Sequence, residues 1–285
     1  MKHYLILVII LFFLNSSFGQ KKIEVPESGI VLSFIKRLPE NLDKFKLKNL
    51  QTSTDSLNIR IWQTHKIFTL SYNDSISSNY RIHTTSEKPI ILTSHFSDNI
   101  SRNILNSLLD NRILELQYEK YRGIDGSHVF FEISTKDKYK VISFWSPRAK
   151  RSDDCKSVVR ILNMLNKSIN SKELVDTFLN SLEPGGYRWG MTSIQIDRFL
   201  STDSIKTGFY LKSEERIKTE LNITEKTNHW VYPLIMINNM PAKVADLNQY
   251  IEDDIVSFEI LQPDNPIVSI YGIMGSNGVV NLKTK

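Results

Sequence analysis

The chain has 285 residues and a mass of 33.0 kDa, enough for one large domain or two small ones with a substantial core. Its 36 Lys and Arg against 31 Asp and Glu give a formal charge of +5, and 41% hydrophobic with 24% charged residues exclude wholesale disorder and a polytopic membrane protein. One cysteine, Cys155, excludes an intramolecular disulfide framework and a cysteine-only metal cluster.

The first nineteen residues read as a secretory signal peptide. Lys2 and His3 precede a compact apolar run, YLILVIILFFL (4–14), and NSSFG follows with Ser17 and Gly19 at the −3 and −1 positions of a cut before Gln20. The run is short for a bilayer-spanning helix, which needs ~20 residues, and no second such segment follows. The mature protein is therefore expected to be exported, without a transmembrane segment. A small positive excess on an exported chain fits a solvated surface, so no nucleic-acid partner is expected.

Residues 21–58 are polar and mixed; their apolar patch Ile30, Val31, Leu32, Phe34 and Ile35 fits either a short packed helix or a loosely ordered arm. IRIWQTHKIFTLSY (59–72) has the β-branched and aromatic content of strands, SYNDSISSNY (71–80) reads as a loop, and IILT after Pro89 as a short strand. Ser97 or Asp98 caps a helix to about Asp110, with Ile100, Ile104 and Leu108 on one face. A three-strand meander is expected next, from ILELQYEKY (113–121), HVFFEIS (128–134) and YKVISFW (139–145). Asp153 or Asp154 starts a helix with Cys155, Val158, Val159, Leu162 and Leu165 in a stripe, and Ser171 caps another that Pro184-Gly185-Gly186 ends. YRWGMTSIQIDRFL (187–200) suggests a strand, and the segment to Asn228 fits a strand at GFYL (208–211) with a short helix over 213–221.

The most specific pattern lies in residues 230–285. PLIMINN reads as a strand ending in turn formers, ADLNQYI (245–251) as a helix or turn, and DDIVSFEILQ (253–262) as a second strand. Two prolines within 263–269 prevent a long regular element, and Gly272, Gly275 and the turn Asn277-Gly278 lead into VVNLKT (279–284) as a third strand. This arrangement resembles the plug domain of TonB-dependent outer-membrane receptors, especially the carbohydrate-receptor type of the Bacteroidota. Pro233–Asn239 corresponds to the strand that usually ends in Asp-Gly. Tyr271-Gly272, Gly275, Asn277-Gly278-Val279-Val280 and Lys283-Thr284-Lys285 correspond to the family's terminal hallmark. Asn238-Asn239 stands where Asp-Gly is usual, and Gln262–Pro266 replaces a Lys-Asp-Ala run. In such receptors a barrel of about 22 strands follows the plug. The chain ends at Lys285 without one, so no transport activity of its own is expected.

The expected fold is α+β: a mixed sheet-and-helix domain over 20–225, of no recognised family, followed by a small plug-like α/β module over 226–285. The five histidines beyond the signal, His65, His83, His95, His128 and His229, have no metal-ligand spacing. Cys155 sits in an apolar stripe, which favours burial over nucleophilic work. Asp153-Asp154 and Asp253-Asp254 are sequence neighbours that read as element starts, and GIMGSNG leads into a strand where a phosphate loop would lead into a helix. No catalytic residue, metal or cofactor is implied. The basic loop with Arg148, Lys150 and Arg151 beside Trp145 and Pro147 is the candidate surface for an anionic partner. The expectation is an exported, non-enzymatic binding or assembly protein of the cell envelope, partnered by an envelope protein. An exported hydrolase and a degenerate receptor-like protein are the alternatives.

Overall fold

The computed structural model describes residues 21–121 and 123–285; the expected signal peptide lies outside the described residues. The chain is a mixed α+β protein that divides into two compact units. The first holds residues 21–83 and 87–171, the second Thr84–Ser86 and Lys172–Lys285.

The first unit is built on seven strands: β1 (Lys22–Glu24), β2 (Leu57–Gln63), β3 (Lys66–Tyr72), β4 (Ile76–His83), β5 (Ile91–Phe96), β6 (His128–Thr135) and β7 (Lys138–Trp145). They lie in the order β1-β7-β6-β2-β3-β4-β5, antiparallel throughout except for the parallel pair β1–β7. The central strand β2 is buried on both faces, because helices cover both.

On one face α1 (Gly29–Lys44) lays down Val31, Phe34, Leu38 and Leu42, spaced by three and four residues, against Trp62, Ile67, Tyr139 and Val141. Each such side chain contributes ~1.5–3 kcal/mol by leaving water. On the other face α2 (Asp98–Asp110) meets β4 through Ser101 Oγ and Ser78 Oγ at 2.7 Å, and α3 (Asp153–Ser168) packs on α2. Both helices start at serine caps: the Ser97 hydroxyl accepts from the Ile100 N–H, and the Ser152 hydroxyl from the Cys155 N–H.

Two expectations for this unit are corrected. Residues 71–80 are no loop throughout, because Ile76 onward forms β4, with Ile76, Ser78, Tyr80 and Ile82 buried at period two. Residues 113–121 form no strand despite their alternation. The β6–β7 hairpin has its outer sides taken by β2 and β1, so it offers no free edge, and only Ile113 and Leu116 of this stretch are buried core residues.

The second unit begins its main run with α4 (Ser171–Ser181), whose first residue still belongs to the first unit, and the hairpin β8 (Gly185–Trp189) and β9 (Thr192–Ile196). Phe178 of α4 stacks on Trp189 at 5.9 Å, and the Thr85 N–H donates to the Arg188 carbonyl. The single strand expected over 187–200 is thus a hairpin, reversed at Gly190 with φ 65°. The strand expected at 208–211 is the start of α5 (Gly208–Glu220): Thr207 caps it, and Phe209, Tyr210, Ser213 and Ile217 are buried at helical spacing.

A four-stranded sheet completes this unit, ordered β11 (Met240–Ala242), β10 (Leu234–Ile237), β13 (Val279–Thr284) and β12 (Ile255–Leu261), with β10 and β13 parallel. One face carries Ile235, Ile237, Val280 and Leu282 against α5 and the 3-10 segment Val244–Gln249. Val268 and Tyr271 of the 3-10 segment Pro266–Gly275 cover the other, against Leu234, Met236, Leu261 and Val279. Residues 226–285 therefore share a core with α5. Among the described residues no helix is long and apolar enough to cross a membrane.

Candidate functional site

The residues singled out near the C-terminus meet around the parallel pair β10–β13. Pro233 is buried just before β10, and the next N–H, that of Leu234, donates to the Gly278 carbonyl at 3.0 Å. Gly278 has φ 94°, and a Cβ there would stand 2.9 Å from the Leu261 carbonyl oxygen, so the left-handed backbone and the close strand approach both require glycine. A Cβ on Gly275 would meet Val268 Cγ1 at 2.9 Å, whereas Gly272 is exposed at the kink within the 3-10 segment. Asn277 donates from Nδ2 to the Trp230 carbonyl, and Lys283 is exposed opposite Ser257.

Asn238 and Asn239 have φ of 51° and 65° and join β10 to β11 in a two-residue reversal. Asparagine tolerates this left-handed region better than other side chains, so the pair meets the backbone demand of such a turn. The Asn238 amide also ties the turn to β13, donating to Thr284 Oγ1 at 2.8 Å and accepting from the Thr284 N–H at 3.0 Å.

The most unusual surface lies on the 3-10 segment. A 3-10 helix has about three residues per turn, so positions three apart stand in line. Val268 and Tyr271 face inward, while Ile267 and Ile270, one turn apart, face outward with exposures of 54% and 74%. Beyond the kink at Gly272, Ile273 and Met274 are exposed by 68% and 41%. The three-residue period of isoleucine was visible in PIVSIYGIMG, but prolines and glycine masked it as a broken stretch.

In the first unit, Arg151 is a clamp. It donates to Glu119 Oε2 at 2.9 Å and to the carbonyls of Trp145 and Ser146, and its guanidinium lies 3.8 Å from the Tyr121 ring centre. Arg148 and Lys150 are exposed on the same loop. Cys155 is fully buried, donates to Glu119 Oε1 at 3.2 Å, and has its pKa raised, chiefly by burial.

A polar cleft of about 690 Å³ opens beside β1 and β7, lined by Glu24, Glu115, Gln117, Tyr118, Lys138 and Lys140 among others. Lys140, 7% exposed, donates to the Leu114 carbonyl at 3.2 Å, and burial lowers its pKa. Glu24, its neighbour across the β1–β7 register, pairs with Lys22 and Lys138 at 3.1 and 3.2 Å, and these contacts lower its pKa. The cleft gathers paired ions and no histidine or thiol among its lining residues. Two of the histidines are neighbours, the His83 N–H donating to the His65 carbonyl at 3.0 Å. His65 sits in the β2–β3 turn, and its pKa is pushed down to about 4 by burial and by Lys66. His83 lies against Phe45, His128 against Trp145, and His229 hydrogen-bonds Asn180. Among the described residues no group of three His, Cys, Asp or Glu side chains could hold a metal ion.

Comparison with protein-family models, with curated proteins and with solved structures finds no match to this chain.

Proposed function

We propose that the chain is an exported binding or assembly protein of the bacterial cell envelope, which docks onto another envelope protein through the C-terminal sheet of its second unit. The observation that carries this reading is the exposure of four large apolar side chains, Ile267, Ile270, Ile273 and Met274, within one ten-residue segment that Val268 and Tyr271 anchor to the core. Large apolar side chains gathered on one short surface segment gain by being covered. The signal-like residues 1–19 support export, and the resemblance of residues 230–285 to receptor plugs supports an envelope setting.

The test is affinity capture of the tagged chain from its native envelope beside an Ile270→Glu/Ile273→Glu variant. Both side chains are exposed, so the variant keeps the fold, whereas truncation after Asn228 would remove the sheet that α5 packs on. One protein captured by the parent and lost by the variant supports docking. Equal capture by both, or binding of the parent to protein-free lipid vesicles alone, overturns it.

A further inference from the structure

α5 runs alongside β12, and the two leave a groove between them. Two side-chain contacts join them. Lys212 Nζ meets Glu252 Oε1 at 2.6 Å just before β12 begins, and Gln262, just after it ends, donates to the Glu220 carbonyl at the last residue of α5 at 2.6 Å. Between these points the Phe209 and Phe258 rings meet edge to face at 5.6 Å, and the Arg216 guanidinium lies 5.0 Å from the Phe258 ring centre. A cavity of about 240 Å³ opens here, with Phe209, Ile255 and Phe258 as its apolar part and Lys212, Ser213 and Arg216 as its helix wall. β12 is the outer strand of its sheet, so past the irregularity in its register between Ile255 and Ser257 alternate residues turn their backbone N–H and C=O away from β13.

We propose that this groove seats an extended segment of the partner protein, added to β12 as a fifth strand, with an apolar side chain in the cavity and a carboxylate at Arg216 and Lys212. The proposal rests on the docking reading above and names the chemistry of the partner. An open strand edge supplies backbone hydrogen bonds to any extended chain, and a pocket beside it supplies selectivity. The cavity is below the ~300–1,000 Å³ that a small-molecule site occupies, which suits one side chain.

Charge selects the rest. Lys212 and Arg216 stand one helical turn apart on the groove wall, against the single acid Glu252 in the lining. Their own ion pairs, with Glu252 and Glu220, are solvent-exposed, and such pairs exchange readily for a new carboxylate. Residues two apart on a strand share a face and stand ~7 Å apart. The recognised segment therefore carries an apolar residue and an acidic residue at positions i and i+2, the acid toward Arg216 and away from Glu252.

The probe is a displayed library of random ten-residue peptides, selected on the full mature chain and in parallel on its Arg216→Glu variant, with hydrogen exchange of both proteins as a check on folding. The expected result is enrichment of apolar-x-Asp/Glu peptides that protect the amides of 255–261. These should bind Arg216→Glu at least about tenfold more weakly, and that variant should instead select apolar-x-Lys/Arg. N-methylation at alternate peptide amides should abolish binding. The proposal is overturned if no peptide is enriched, if the enriched peptides bind Arg216→Glu equally well, or if protection falls on 266–275. Envelope capture that is lost with Ile270→Glu/Ile273→Glu but unchanged by Arg216→Glu would leave the docking reading standing and remove the groove from it.

Discussion

Arg60 and Glu132 stand opposite each other on β2 and β6, and their side chains form an ion pair of 2.9 Å with no more than 1% of either exposed. Glu132 also accepts from Trp62 Nε1 at 3.1 Å and from the Tyr139 hydroxyl at 3.0 Å, while Arg60 reaches the Lys48 carbonyl at 2.7 Å. Burial and the neighbouring carboxylate push the Tyr139 pKa far upward. The network joins three strands beneath α1, beside the buried Asn58, Thr69 and Ser134 of the same face, so it specifies their register.

Arg60→Ala should therefore cost about 3–5 kcal/mol, because it leaves the Glu132 charge buried without its partner. The double replacement Arg60→Met/Glu132→Leu should cost clearly less. Urea unfolding of both variants checks this; a loss below about 1 kcal/mol for Arg60→Ala would contradict it.

Mild acid should move the two units in opposite directions. Asp197, 1% exposed, accepts from the N–H groups of Val244 and Arg198, and burial raises its pKa to about 6. Between its ordinary value and about 6 the folded second unit holds a proton that the unfolded chain releases, so this unit gains stability as pH falls through 6. His65 is lowered to about 4, so the unfolded chain takes up a proton between about 6.5 and 4 that the folded first unit refuses, and that unit loses stability over the same range. Between pH 7 and pH 5 each effect is on the order of 1–2 kcal/mol. Glu24, Asp55, Asp137 and Glu214 are shifted downward and act at lower pH. Hydrogen exchange at pH 7 and pH 5 resolves the units, and Asp197→Asn should abolish the acid gain of the second.

Cys155 should be inert in the native protein. Its thiol is buried, hydrogen-bonded to Glu119 and shifted upward, so aromatic disulfide reagents should label it only after denaturation. Rapid labelling at neutral pH without denaturant would show that the start of α3 opens.

Gly278→Ala should destabilise the second unit by ~1–3 kcal/mol, since it places a Cβ against the Leu261 carbonyl at a positive φ. The thermal transition of that unit should fall while the first unit is unaffected.

Local signals carried well where side chains cap or alternate. Ser97, the helix from Asp153, the β6–β7 hairpin and the strands at 234–237, 255–261 and 279–284 all follow from short-range pattern. The errors came from tertiary demands. ILELQYEKY alternates like a strand but finds no sheet edge, and GFYL has strand-like residues that Thr207 and Ile217 commit to a helix. The polar stretch at 76–80 becomes a strand because Tyr80 and Ser78 reach partners on helices, which no local pattern reveals. Of the candidate surface, the glycine and asparagine turns were legible. The exposed side chains of Ile267, Ile270, Ile273 and Met274 were not, because they follow two prolines and the kink at Gly272 divides them.

Docking by the second unit is tested most directly by replacing Ile270 with a photo-crosslinking benzoylphenylalanine and irradiating the chain in its native envelope. Leu32 of α1, also exposed but in the first unit, serves as the control position. A discrete adduct with one envelope protein is expected from position 270 and none of that mass from 32. Irradiation that yields no adduct from 270, or the same diffuse adducts from both positions, would contradict docking by the second unit.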